Sequence, residues 1–173
     1  MWAFEKALPP GAFAVSVRAP VEAEGGYGWM LPGNEERSFE QGLASLHEFV
    51  SRLPREYPVN VERVALIGFS QGAAMSYALA LSDPQRVSAV AALAGFLPDA
   101  ARQWIAPGRL AGKRVFIAHG IGDTAVPVED AIRARDALTL CGADVTYREY
   151  AIGHKLTAQG MRDLKQWLAD FAA

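Results

Sequence analysis

The 173-residue sequence predicts an α/β protein: a mostly parallel sheet with helices on both faces, in three layers. Two observations carry this. Strand-length apolar runs alternate along the chain with segments of helical periodicity. The strand runs are mostly continuous rather than alternating, as in strands buried on both faces. No internal repeat or linker divides the chain, so residues 1–173 read as one domain.

The elements follow in order. Phe13–Val17 ("FAVSV"), bounded by Gly11 and Pro20, reads as a strand, and "EAEGGYGW" as a glycine-rich loop. Phe39, Leu43, Leu46, Val50 and Leu53 form one helical face, with Pro54 expected to stop the helix. Val61–Gly68 is the second strand. Gln71–Leu81 is apolar nearly all round, a helix expected to be buried. Val87–Ala94 and Arg114–His119 are the third and fourth strands. Pro127–Cys141 is a helix with proline suited to its first turn. Val145–Tyr150 is a fifth strand. Leu164, Trp167, Leu168 and Phe171 mark the stripe of a last helix.

Bulk composition narrows the function. Hydrophobic residues make up 51% and charged residues 21%, with a net charge of −2 and no block of like charge. That pattern argues against a nucleic-acid or polybasic membrane surface. Val64–Ser82 has no charge over a span-like length. Its central Gly68, Ser70, Gln71 and Gly72, and its change from β-branched to Ala-Leu-Met character, fit a buried strand turning into a buried helix instead. Cys141 is the only cysteine, so no internal disulfide forms. It reads as a small buried residue near a helix end. With no leader pattern at the N-terminus, a reducing, cytoplasmic compartment is expected. No histidine–cysteine cluster points to a metal.

Ligands of open parallel sheets bind at the carboxyl ends of the strands. Three such ends carry chemistry here. Ser70 lies in "GFSQG", which fits G-x-S-x-G between a strand and a helix. A serine on that strained turn crowds the positions two before and two after it, which favours Gly68 and Gly72. Asp123 follows the fourth strand in "GIGDTAVP", and His154 follows the fifth in "AIGHKL". The order Ser, Asp, His is that of α/β-hydrolases. A serine hydroxyl needs a histidine base near neutral pH, and the base needs an acid to hold its tautomer. Of the three histidines, His154 leads. His47 sits on an amphipathic helix, and His119 ends an apolar strand as a satisfied structural residue. Of the acids Asp123 leads, with Asp99 behind it. Asp144 belongs at the opposite end of the sheet, and Glu129 and Asp130 suit a helix start.

"LIGFSQGAAMSYALAL", "HGIGDTAVP", the "GH" pair before a last amphipathic helix, and "VSVRAP…GGYGWM" together resemble the phospholipase/carboxylesterase family of small α/β-hydrolases. The resemblance runs from Phe13 to Phe171. It implies a hydrolase of small carboxylic esters or thioesters that uses no metal or organic cofactor, with Ser70 as nucleophile, Asp123 as orienting acid and His154 as base. It implies that Trp29 and Tyr27 line the acyl or alcohol pocket, and that Phe96 and Leu97 form its apolar wall.

The oxyanion of such a reaction is held by two backbone N–H groups. One belongs to the residue after the nucleophile, here Gln71. The other comes from a loop after an earlier strand, which in the family carries a His-Gly pair. Only Met1–Leu8 precedes the first predicted strand, without that pair, so the fold reads as N-terminally abbreviated. Three arrangements are then open: a truncated version of a longer enzyme, a sheet that closes up around a weaker site, or a homodimer whose partner repairs the edge. The alternative function is a catalytically weak hydrolase-like domain that binds an acyl ligand or a protein partner.

Overall fold

Four parallel strands carry the fold in the computed structural model, which describes residues 2–173, with side chains from residue 4. In chain order they are β3 (Ala65–Phe69), β4 (Ala89–Leu93), β5 (Arg114–Gly120) and β6 (Asp144–Tyr150), and they lie side by side in that order. The register sets Phe69 beside Leu93, Leu93 beside Ala118, and Gly120 beside Tyr150, so all four carboxyl ends reach one edge. Before them runs a two-stranded antiparallel ribbon, β1 (Val21–Ala23) and β2 (Gly26–Gly28).

Alternate residues of each central strand face opposite layers. Val90, Ala92, Val115 and Ile117 pack under α1 (Glu35–Glu56), α2 (Gln71–Ser82) and α3 (Val128–Leu140). Ala89, Ala91, Leu93, Phe116 and Ala118 pack against Leu164, Trp167 and Leu168 of α4 (Ala158–Ala172) and against Ala7. Burial of such Leu and Phe side chains stabilises by about 1.5–3 kcal/mol each. α2 is buried from Ala73 to Leu81 because α1 covers the face that the sheet does not. Its all-round apolar sequence requires such a position. No helix among the described residues is long and apolar enough to cross a membrane.

Four expectations need correction. Phe13–Val17 is not a strand: none of its backbone groups pairs with another strand among the described residues, and Phe13 is 56% exposed. Its β-rich composition favours extended backbone, but a ladder needs a second edge within hydrogen-bonding reach. The sheet has therefore not closed up, and β3 is its edge. The glycine-rich loop contains the β1–β2 ribbon, whose turn uses Gly25 at φ 78°. Val61–Arg63 is a single 3₁₀ turn because Asn60 Oδ1 accepts the Glu62 N–H at 2.9 Å, which holds the chain out of the strand until Ala65. Pro54 lies inside α1, which runs one turn further to Glu56. Proline costs one N–H donor and crowds the carbonyl four residues back, yet the Tyr57 N–H donating to Leu53 O at 3.0 Å closes the last turn over buried Leu53.

The open side of β3 faces a cavity of about 900 Å³. The β4 pairing uses the backbone groups of Val64 O and Ser70 N at its two ends. By strand alternation, the N–H and C=O of Ala65, Ile67 and Phe69 point the other way, into this cavity. Leu46, Phe49, Val50 and Met75 line it from one layer, and Leu168 and Phe171 from the other. Ala12–Val17 runs along its rim.

Candidate active site

Ser70 sits between the last residue of β3 and the first of α2, with φ 54° and ψ −120°. A side-chain-bearing residue at positive φ is strained, and packing maintains that strain. A Cβ on Gly68 would stand 2.2 Å from Gly72 O, and one on Gly95 would stand 2.3 Å from Ala73 Cβ. The elbow therefore leaves no room for a side chain at 68, against the Gly72 backbone, or at 95, against the Ala73 methyl. Gly72 differs from the sequence expectation, because a Cβ there meets nothing within 4 Å. Position 72 matters as the backbone that Gly68 must clear.

α2 begins at this turn. The Ala73 and Ala74 N–H groups both donate to Ser70 O, at 3.0 and 3.2 Å. The N–H groups of Gln71 and Gly72 precede any intrahelical acceptor and have no backbone partner among the described residues, at the positive end of the helix. The structure thus leaves the Gln71 N–H available beside Ser70.

The β5 and β6 ends meet in one network. His154 Nδ1 lies 2.7 Å from Asp123 Oδ2. Asp123 Oδ1 accepts the N–H groups of Ala125 and Val126, each at 2.9 Å. The Asp123 side chain is fully buried, whereas that of His154 is 28% exposed. Burial pushes the Asp123 carboxyl up. The bonds from the Val126 N–H, from His154 and from the Ala125 N–H together outweigh it and hold the carboxyl below its ordinary range. An ionised acid of this kind fixes His154 with Nδ1 protonated and Nε2 free to accept a proton. The approach of the two loops depends on Gly120, where a Cβ would stand 2.3 Å from Ile152 O. The Phe69 ring, next to Ser70 in the chain, packs on the His154 ring with centroids 4.9 Å apart. No hydrogen bond joins Ser70 Oγ to His154 among the described residues, and such bonds often tighten only when substrate binds.

The other candidates lie elsewhere or serve the scaffold. His47 bonds Ser82 Oγ at 3.0 Å and ties α1 to the end of α2. His119 is buried, with Nε2 donating to Val126 O at 2.9 Å and lying 3.5 Å from Asp123 Oδ2. The expectation of a satisfied histidine holds for one nitrogen only, since Nδ1 has no partner among the described residues. Asp99 pairs with Arg102 in the open, and Asp144 begins β6 at the far end of the sheet. Glu129 and Asp130 occupy the first turn of α3, and Cys141 is buried at its end. Trp29 lines the cavity that reaches Ser70 and Gln71. Tyr27 is exposed under the Arg18 guanidinium, 4.3 Å from its ring centre. Phe96 packs on the core, and Leu97 lines a separate small cleft with Ile105 and Arg133. Neither borders the Ser70 cavity. Two contacts escaped the sequence because they are long-range: the tilted Phe69–His154 ring contact and the Gln71 side-chain bonds to residues 29 and 30.

A family profile described as Phospholipase/Carboxylesterase matches residues 29–171. Acyl-protein thioesterase 1 of Mycosarcoma maydis is 36% identical over 115 residues, covering 62% of this chain and 47% of the relative. A probable carboxylesterase, SOBER1-like, of Arabidopsis thaliana is 27% identical over 138 residues, covering 78% and 52%. The chain thus spans about half the length of these curated relatives. Among solved structures, the Bacillus cereus carboxylesterase superposes with a TM-score of 0.86 at 24% identity, over 98% of this chain and 80% of that one. The Mesorhizobium loti carboxylesterase gives 0.83 at 23%, over 96% and 80%. These likenesses establish the three-layer α/β-hydrolase fold.

Proposed function

The chain belongs to the phospholipase/carboxylesterase family, and from that premise we propose that it is a serine hydrolase of carboxylic esters or thioesters, with Ser70, His154 and Asp123 as its triad. The observation that carries this reading is the buried Asp123 carboxylate, 2.7 Å from His154 Nδ1, at the sheet edge where Ser70 sits on a strained turn. A retired site has no physical need for that buried, multiply bonded carboxylate.

In the proposed reaction Ser70 Oγ attacks the substrate carbonyl carbon as its proton passes to His154 Nε2. The carbonyl π pair moves onto oxygen, and the Gln71 N–H and the helix α2 dipole stabilise the oxyanion. Collapse breaks the bond to the alcohol or thiol, which takes the proton from His154. Water, deprotonated by His154, then attacks the acyl-enzyme, and the acid leaves with Ser70 Oγ restored. Asp123 stays ionised throughout and stabilises the imidazolium.

The test combines a fluorophosphonate probe with p-nitrophenyl ester turnover. Wild-type protein is expected to label at Ser70 and to turn over, and Ser70→Ala to do neither. Absence of both in the wild type removes the reading.

One observation favours a second reading, a domain that binds an acyl ligand with little turnover. The second oxyanion donor of α/β-hydrolases comes from a loop after another strand of the sheet, and on its open side β3 has no strand neighbour among the described residues. Loss of one donor lowers kcat about 10²–10³-fold. Labelling of Ser70 with turnover reduced to that degree would identify this second case.

A further inference from the structure

Gln71 enters the proposed reaction through its backbone, but its side chain is engaged as well. Its Oε1 accepts the N–H groups of Trp29 and Met30, at 3.0 and 3.2 Å. Its Nε2 donates to Met30 O at 2.7 Å. The two N–H donors identify the oxygen of the amide, and the carbonyl acceptor identifies its nitrogen. The amide therefore grips both backbone groups of Met30, as a neighbouring strand would. Ser38 Oγ accepts the next N–H, that of Leu31, at 2.9 Å. Consecutive N–H groups at 29, 30 and 31 are thus held by side chains from two helices, downstream of a ribbon whose strands are only three residues long.

What this grip positions is Trp29. Its ring edge packs over Gly42, where a Cβ would stand 3.2 Å from Trp29 Cε3 and 3.3 Å from Met75 Cε. Trp29 and Met75 are walls of the cavity that opens at Ser70. We propose that the Gln71 side chain is a positioning residue for substrate selection: it fixes the Trp29–Met30 segment as the wall against which the acyl chain packs. This rests on the hydrolase reading above. Bonds made by one amide link the oxyanion donor and the acyl wall, so one residue serves both. The expected preference is for esters of medium over short acyl chains, since the lining beyond Trp29 is Leu46, Phe49, Val50 and Met75.

The variant Gln71→Met keeps the length of the side chain and the backbone N–H, and removes all three bonds. It is compared with wild type on p-nitrophenyl esters from acetate to octanoate. The readout is the ratio of kcat/KM for octanoate to that for acetate, in which any loss common to all esters cancels. The ratio is expected to fall about tenfold through KM, roughly the effect of no longer burying two methylene groups. Trp29→Ala is expected to reproduce that fall. An unchanged ratio, or an equal loss of kcat on every ester, overturns the proposal. Hydrogen exchange supplies a readout independent of turnover: the Trp29 and Met30 amides are expected to exchange faster in Gln71→Met, with α2 unchanged. Unaltered protection there overturns the clamp even if the protein hydrolyses no ester, whereas altered protection in a protein that does not label at Ser70 separates the clamp from the hydrolase reading.

Discussion

On the β4–β5–β6 side of Ser70, β4 and β5 pair on both edges, Gly120 lets two loops touch backbone to backbone, and Asp123 has each carboxylate oxygen bonded. On the other side β3 ends the sheet. Ala65, Ile67 and Phe69 turn their backbone groups into a cavity of about 900 Å³, and Ala12–Val17 crosses its rim with Phe13 and Val15 exposed. In the proposed reading the acid–base pair belongs to the closed side, and the oxyanion donor and the acyl wall to the open one. Pre-organisation of a proton relay needs fixed distances, which the closed side would supply. Binding a variable acyl group needs volume, which the open side would supply. Between the two, the Gln71 side chain fixes the Trp29–Met30 backbone.

The largest expected effect tests the closed side. Asp123→Asn should lower kcat by about 10⁴, because the amide can present N–H to His154 and favour the wrong tautomer; steady-state ester hydrolysis measures it. The same variant has a stability signature. The folded carboxyl is held below its unfolded value of about 4. Its contribution is therefore full above that value and disappears as pH falls through the lower folded one. The stability gap between wild type and Asp123→Asn in urea titrations should be present at pH 7 and shrink as pH drops below about 4.

Gly120→Ala comes next. Its Cβ would enter the Ile152 and Gly153 carbonyls, and the strain should destabilise by about 3 kcal/mol while separating His154 from Asp123. Calorimetry and ester turnover should both register it. If either stays at the wild-type value, the loop contact is not what holds the pair.

A smaller contrast compares cores. Ile117→Ala, in the closed core, should cost about 2–5 kcal/mol. Leu66→Ala, on the cavity wall, should cost less than half as much, because the cavity already exists and the residue is only half-buried. Equal losses in denaturant titrations would mean that the open side is packed in solution. Smallest of all, Phe13→Ser should change stability by less than about 0.5 kcal/mol, despite the tilted ring contact with Tyr57 at 5.2 Å.

Much was legible in the chain because it depends on local pattern. The continuous apolar runs of β4 and β5, the stripe of α4 and the all-round apolar face of α2 follow from periodicity. Ser70, Asp123 and His154 could be placed at one edge because parallel strands send all their carboxyl ends the same way. Local pattern misled where the outcome depended on a neighbour. "FAVSV" has strand composition, yet no strand lies beside it. Pro54 resembles a stop, yet buried Leu53 and the Tyr57 bond carry the helix past it. Gly72 resembles a packing glycine, yet the crowding falls on Gly68 and Gly95.

The sequence by itself determined the alternation of strands and helices, the sheet edge and the three side chains proposed as reactive, since each follows from residue type and spacing along one chain. Only the tertiary structure decided which aromatic residues reach the cavity, which glycines are indispensable, and that Gln71 holds residues 29 and 30 across 41 or 42 positions of chain. The physical reason is common to all three. A close approach between distant segments is set by how layers pack, and a side-chain amide bonds whatever backbone the packing brings within 3 Å, which no local pattern encodes.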